Sequence, residues 1–160
     1  MRQQAYAEIQ SQFPISHLHG LAMFGALSEE CVRFLLERGE IGFYQSGEQL
    51  FVKDSESDGF YVVLSGDARF YKPKADEERM VGLRCYGPGE QIGFVGMIGL
   101  QKRYGNAVME TDGYVLKVPV ALFHDFCERF PEEFKIILIN ITREMSREIA
   151  DLDTLCTELK

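Results

Sequence analysis

The chain has 160 residues, 46% of them hydrophobic, enough for one domain with a substantial core and too few for two ordinary ones. A net charge of −8, with 17 Lys and Arg spread thinly, leaves no basic surface for nucleic acid. No uncharged run approaches the ~20 residues that cross a membrane, and MRQQAYAEIQ lacks the apolar stretch of a secretory signal, so the expected location is cytoplasmic.

Residues 2 to 13 are predicted as a short helix presenting Tyr6, Ile9 and Phe13 and stopped by Pro14, which disfavours helical geometry in the residue before it. A clearer helix follows. Ser28 is its expected N-cap, Glu29 and Glu30 suit the positive end of its dipole, and Gly39 ends it, with Cys31, Val32, Phe34 and Leu35 on one face.

From Ile41 to Val118 the texture changes to short runs of aromatic and branched residues broken by Gly, Pro, Asp and Ser, the all-β pattern. Strands are expected at 41–44, 49–53, 59–64, 67–72, 80–85, 91–94, 105–110 and 113–118, with KPKADEER, 72 to 79, as a solvated hairpin loop. Strands in such number imply a mainly β fold, a jelly-roll-like double-stranded β-helix with flanking helices. An internal echo supports two related halves: Tyr44-Gln45-Ser46-Gly47-Glu48-Gln49-Leu50 returns 42 residues later as Tyr86-Gly87-Pro88-Gly89-Glu90-Gln91-Ile92.

After Lys117 the period turns helical. Pro119 opens a short helix with Leu122, Phe123 and Phe126 inward, and Pro131 occupies the first turn of a longer one. The series Phe134, Leu138, Ile141, Met145, Ile149, Leu152, Cys156, Leu159 alternates steps of three and four almost like a heptad seam. The expected organisation is N-terminal helices over 1–40, the roll over 41–118, and C-terminal helices over 119–160, with a homodimer through 134–159.

The glycine-rich stretch 86–109, YGPGEQIGFVGMIGLQKRYGNAVM, is the candidate site. Its six glycines let the backbone turn several N–H groups toward one small object, which suits an anion. The stretch reads as a strand, a short helical turn, a loop from Gln101 to Gly105 and a new strand.

This arrangement resembles the phosphate-binding cassette of the cyclic-nucleotide-binding domains found in catabolite-activator-type regulators, kinase regulatory subunits and nucleotide-gated channels. Leu50-Phe51, then Asp58, Tyr61 and the turn Leu64-Ser65-Gly66, resemble the family's strand–turn–strand signature, with Asp54 where a glycine is common. The resemblance implies a cassette of Gly93, Phe94, Val95, Gly96 and Met97, followed by Gly105, Asn106 and Ala107. The family places a Glu for the ribose hydroxyl and an Arg for the cyclic phosphate; here Phe94 and Gly105 stand in those places. Lys102 and Arg103 lie just before Gly105, so either could approach an anion if the loop register shifts by two residues, and Arg103 and Tyr104 are counted with the expected ligand-binding residues.

Other chemistries find little support. His17 and His19 form an HxH pair without further ligands beyond His124 and scattered acids, and the expected strands hold no histidine of the kind a cupin metalloenzyme needs. No haem ligand stands out, and no Ser-His-Asp or Cys-His arrangement is evident. Cys31, Cys85, Cys127 and Cys156 lack a CxxC spacing and are expected to be reduced and mostly buried.

The chain thus reads as a non-catalytic regulatory module without cofactor or metal, sensing a small anionic ligand or nucleotide held unconventionally and acting through an unidentified protein partner. The alternatives are an interaction scaffold without ligand and a true cyclic-nucleotide receptor using altered contacts. No helix-turn-helix of the kind that follows this fold in transcription regulators is expected within these 160 residues, and residues 131 to 160, with seven acids against four bases, are not expected to replace it.

Overall fold

The computed structural model describes residues 1–74 and 79–158. Among these residues nine strands form two antiparallel sheets: β1 (Arg2–Gln4), β2 (Glu40–Tyr44), β3 (Gln49–Phe51), β4 (Gly59–Val63), β5 (Ala68–Pro73), β6 (Met80–Tyr86), β7 (Gln91–Ile92), β8 (Asn106–Met109) and β9 (Gly113–Pro119). One sheet runs β1-β2-β9-β4-β7 and the other β3-β8-β5-β6. Six α-helices accompany them among the described residues: α1 (Tyr6–Ile9), α2 (Ile15–Leu18), α3 (Glu29–Arg38), α4 (Phe94–Ile98), α5 (Val120–Arg129) and α6 (Pro131–Glu158). The expected roll with flanking helices and a long final helix is what the chain forms.

The five-stranded sheet lies between two cores, and the period-two alternation of its central strands supplies both. In β4 and just beyond it, Phe60, Val62 and Leu64 face a layer of helices, while Tyr61 and Val63 face the second sheet. In β9, Leu116 and Val118 face the helices and Val115 the roll interior.

The internal echo is a repeated turn. Gly47 and Gly89 both take φ near +87°, at 86° and 88°, where glycine carries no Cβ penalty. Glu48 accepts from the Gln45 N–H at 2.8 Å, and Glu90 from the Gly87 N–H at 2.7 Å, so each turn is closed by the same carboxylate one residue after its glycine. One turn carries the chain from β2 to β3 and the other from β6 to β7, each crossing between sheets.

Ser28 caps α3 as expected, accepting from the Cys31 N–H at 3.3 Å, and Glu133 at the start of α6 accepts from both Ser28 N–H and Ser28 Oγ. Leu36, rather than Phe34, completes the fully buried face of this helix, and Phe34 is half-buried at its edge. In α5 the inner residues are Leu122, Phe123 and Phe126.

Four readings need correction. Residues 2–4 form an edge strand, not the start of a helix, because Arg2, Gln3 and Gln4 pair with Phe43, Gly42 and Ile41. The strand expected at 91–94 ends at Ile92, where Gly93 turns left-handed and starts α4. In α6, Ile141 is buried against the chain's own helix layer and Met145 is half-buried there, so neither is free for a partner; Leu159 lies outside the described residues. Of the cysteines only Cys31 is buried; Cys127 is intermediate, and Cys85 and Cys156 are exposed.

Candidate functional site

Gly93 sets the site's geometry. Its φ of 87° suits glycine, and a Cβ there would also meet Arg103 Nη1 at 2.5 Å. The turn starts α4 one residue later, and helical geometry swings Phe94 away from the roll. Its ring packs edge-on against Phe60 and Phe123, at centroid distances of 5.3 and 6.0 Å, inside the helix-layer core. The side chain that stands for the family's ribose-binding acid therefore points its ring into an aromatic core. Met97 is buried in the same core, and Val95 is exposed.

Arg103 is the site's dominant feature. It is 2% exposed, although it sits in a loop beside the exposed Lys102. Its Nη1 donates to the Gly93 carbonyl at 2.7 Å and its Nη2 to the Gly59 carbonyl at 2.5 Å, which ties the start of α4 to the start of β4. The guanidinium lies over the Phe51 ring at 4.4 Å, and Asp58 Oδ1 stands 3.6 Å from Nη2. Burial pulls its pKa down, and the neighbouring Tyr61 and Asp58 push back. Burial also raises Asp58, but its hydrogen bond to Lys117 and the charges of Lys117 and Arg103 outweigh this and hold it below the usual carboxylate range. Arg103 thus works as a buried strut and is not the solvated loop charge its neighbourhood in sequence suggests.

Gly105 occupies a position where no larger side chain fits. A Cβ built there would overlap both the Phe70 ring and the Tyr71 carbonyl oxygen. The neighbouring residues are also committed to the fold: Asn106 Oδ1 accepts from the Lys53 N–H at 2.7 Å, and Ala107 is buried between the sheets. Gly93, Phe94, Val95, Gly96, Arg103 and Tyr104 do converge on one cavity, whereas Met97, Gly105, Asn106 and Ala107 do not line it. That cavity measures only ≈ 20 Å³, room for about one water.

Helix α6 closes it. Met145 and Glu148 line the cavity from above, a role no local motif announces. Arg84 on β6 holds the helix down through Glu144, whose side chain is almost fully buried, and through Glu148 at 3.4 Å, while Glu90 pairs with it from the roll at 2.9 Å. Arg147 takes the second oxygen of Glu144 at 2.6 Å, and Tyr86 OH donates to Glu148 at 3.1 Å. Burial pushes the Glu148 carboxyl up, with Glu144 and Glu90 adding to the rise and Arg84 and Tyr86 opposing it. Beside this lid a second groove of ≈ 250 Å³ runs between β5, β6 and α6, lined by Phe70, Lys72, Leu83, Tyr86, Tyr104 and Leu152 among others.

A two-sheet roll with a glycine-bounded helix between β7 and β8, covered by a long C-terminal helix, is the architecture of one class of regulatory domain. The chain belongs to the cyclic nucleotide-binding domain family, whose profile matches residues 41–130, more than half its length. It is 25% identical to the lysophospholipase NTE1 of Yarrowia lipolytica over 91% of this chain and 11% of that protein. It is 34% identical to the neuropathy target esterase sws of Drosophila grimshawi over 56% of this chain and 6% of that one. The chain therefore spans about a tenth or less of these curated relatives. Among solved structures, a cyclic nucleotide-binding domain from Methylobacillus flagellatus superposes with a TM-score of 0.78, 17% identity, and coverage of 93% of this chain and 83% of that one. The catabolite activator protein of Thermus thermophilus gives 0.72 and 22%, covering 86% and 62%. At these identities the structures speak for the fold. No helix among the described residues is long and apolar enough to cross a membrane.

Proposed function

We propose that this chain is a non-catalytic regulatory module of the cyclic-nucleotide-binding type whose cassette is filled by its own side chains, so that cyclic AMP and cyclic GMP are not its signal. The observation that carries this reading is the commitment of Arg103 to two backbone carbonyls, which leaves a cavity of ≈ 20 Å³ under α6. Pockets that hold small ligands are typically about 300–1,000 Å³. The absent carboxylate and guanidinium at Phe94 and Gly105 remove two charge-assisted contacts of about 1.5–3 kcal/mol each. Signalling then passes through surfaces, to a protein partner and to a second copy of the chain.

The second copy is proposed to pair along α6. Ile149 and Leu152 are 58% and 52% exposed and Leu138 36%, and the three fall at steps of eleven and three, a spacing that keeps them on one seam of a coiled coil. The same helix repeated in a second copy presents the matching stripe.

A second reading keeps a ligand. The ≈ 250 Å³ groove beside the cassette carries Lys72, which lies 5.1 Å over the Tyr104 ring, and these features suit a small anion with an apolar body. Thermal-shift screening separates the readings, since a ligand at 100 times its dissociation constant adds about 2.7 kcal/mol of stability. No shift with cyclic AMP or cyclic GMP is expected. A shift of several degrees with either contradicts the sealed cassette, and a shift with other anions that disappears in Lys72→Ala supports the groove.

A further inference from the structure

The two helices that flank the roll, α3 and α5, enclose an open cleft of ≈ 430 Å³ on which Arg33, Arg38 and Arg129 converge. In a chain with 25 acids and a net charge of −8, none of the three pairs with a carboxylate among the described residues, although Glu30 and Glu37 line the same cleft. Arg38 and Arg129 both stand over the Phe34 ring, at 5.4 and 5.3 Å, and Arg129 also lies 5.5 Å from the centre of Phe130. Arg38 and Arg129 occupy the last turns of their helices, where a cation offsets the dipole. That placement explains a charge at each helix end. It explains neither Arg33, in the middle of α3, nor the stacking of two guanidinium groups on one ring.

Stacking on an aromatic face holds a guanidinium in place while its N–H donors stay free, and such a fork matches a carboxylate in bidentate fashion. Arginine and aromatic residues together are also the composition of protein-interaction hot spots. The acidic bulk of the molecule repels long polyanions, so the fitting anion is one presented locally on a short segment. Half-buried Phe34 and Phe130 form a floor for an apolar side chain next to those charges.

We propose that the α3–α5 cleft is a docking site for a short acidic peptide segment of a partner protein, its carboxylates on Arg33, Arg38 and Arg129 and an apolar side chain on Phe34 and Phe130. The proposal rests on the reading that the module acts through a partner, and it is independent of whether the cassette is sealed. The probe is a fluorescein-labelled peptide of Glu and Asp around one Leu, titrated with the whole chain by fluorescence anisotropy. Saturable binding that weakens with added salt is expected, with a loss of about tenfold for Arg33→Ala or Arg129→Ala. Arg38→Gln combined with Arg129→Gln is expected to abolish it while the circular-dichroism spectrum stays that of the parent and the melting temperature falls only by what two lost helix-end cations cost. The proposal is overturned by absent binding to the parent, by equal binding of a peptide with Gln and Asn in place of the acids, or by unchanged binding in the variants. Preferential binding of phosphatidylserine vesicles lost in the same variants would assign the cleft to a membrane surface and would also overturn it.

Discussion

A single arginine shows how far local sequence context departs from structural role. Arg103 replaces solvent with two carbonyl acceptors, two aromatic faces and a carboxylate, and removing it strands the Gly93 and Gly59 carbonyls in a buried place. Arg103→Ala is expected to cost about 3 kcal/mol, read from urea unfolding, because an unpaired buried acceptor bears its full desolvation penalty. Arg103→Lys should recover less than half of that, since an ammonium cannot span both carbonyls as the planar fork does. A loss below about 0.5 kcal/mol in Arg103→Ala would mean that the side chain is a free charge after all. Nothing in Gln101-Lys102-Arg103-Tyr104 announces this burial, for the acceptors lie outside the loop, Gly59 on β4, 44 residues back, and Gly93 at the start of α4, ten residues back. Phe94 departs from the expected strand for a related reason. A strand over 91–94 would place it on the same face as Ile92, toward the roll; the left-handed Gly93 ends the strand early and directs the ring to the helices.

Where local chemistry decides the outcome, elements were legible. The Ser28 cap, the Pro131 start and the repeated Glu-closed turns at Gly47 and Gly89 depend on residues within a few positions of each other. The strand at 2–4 was not legible, because pairing with β2 decides it. Phenylalanine rings link the elements further: Phe94 on α4, Phe123 on α5, Phe134 on α6, Phe126 on α5 and Phe34 on α3 follow one another at centroid separations of 5.0 to 6.4 Å. The ring that replaces the cassette acid is thus the first of a packed series that ends at the floor of the arginine cleft. The docking of α6 carries a pH dependence. Because the folded pKa of Glu148 is raised, its contribution to stability is fully present below the unfolded value of about 4.3 and is lost as pH rises through the folded value. Glu148→Gln, which keeps an acceptor for Tyr86 without the charge, is expected to match or exceed the parent's melting temperature at neutral pH. The gain should shrink as pH falls through the folded pKa. A variant markedly less stable at neutral pH would show that the pairing with Arg84 outweighs burial.

At the scale of the whole molecule, the long α6 serves two faces. Phe134, Ile137 and Ile141 anchor its first half to the helix layer, Glu144 and Glu148 fix its middle over the cassette, and Ile149 and Leu152 remain outside. The heptad-like spacing was visible in the sequence, but not its division between internal packing and an outward stripe, because Ile141 looks the same in either role. Ile149→Glu together with Leu152→Glu is expected to halve the mass seen by light scattering while leaving the fold intact, since both side chains are already in water in the single chain. An unchanged mass would remove α6 from the pairing surface.

The sealed cassette is the central claim, and isothermal titration of the unmodified chain with cyclic AMP tests it most directly. Two lost charge-assisted contacts correspond to about two to four orders of magnitude in affinity, and a dissociation constant no tighter than about 100 μM is predicted. A submicromolar constant that is lost in Arg103→Ala would contradict the account, for it would mean that this arginine leaves its two carbonyls to hold the phosphate.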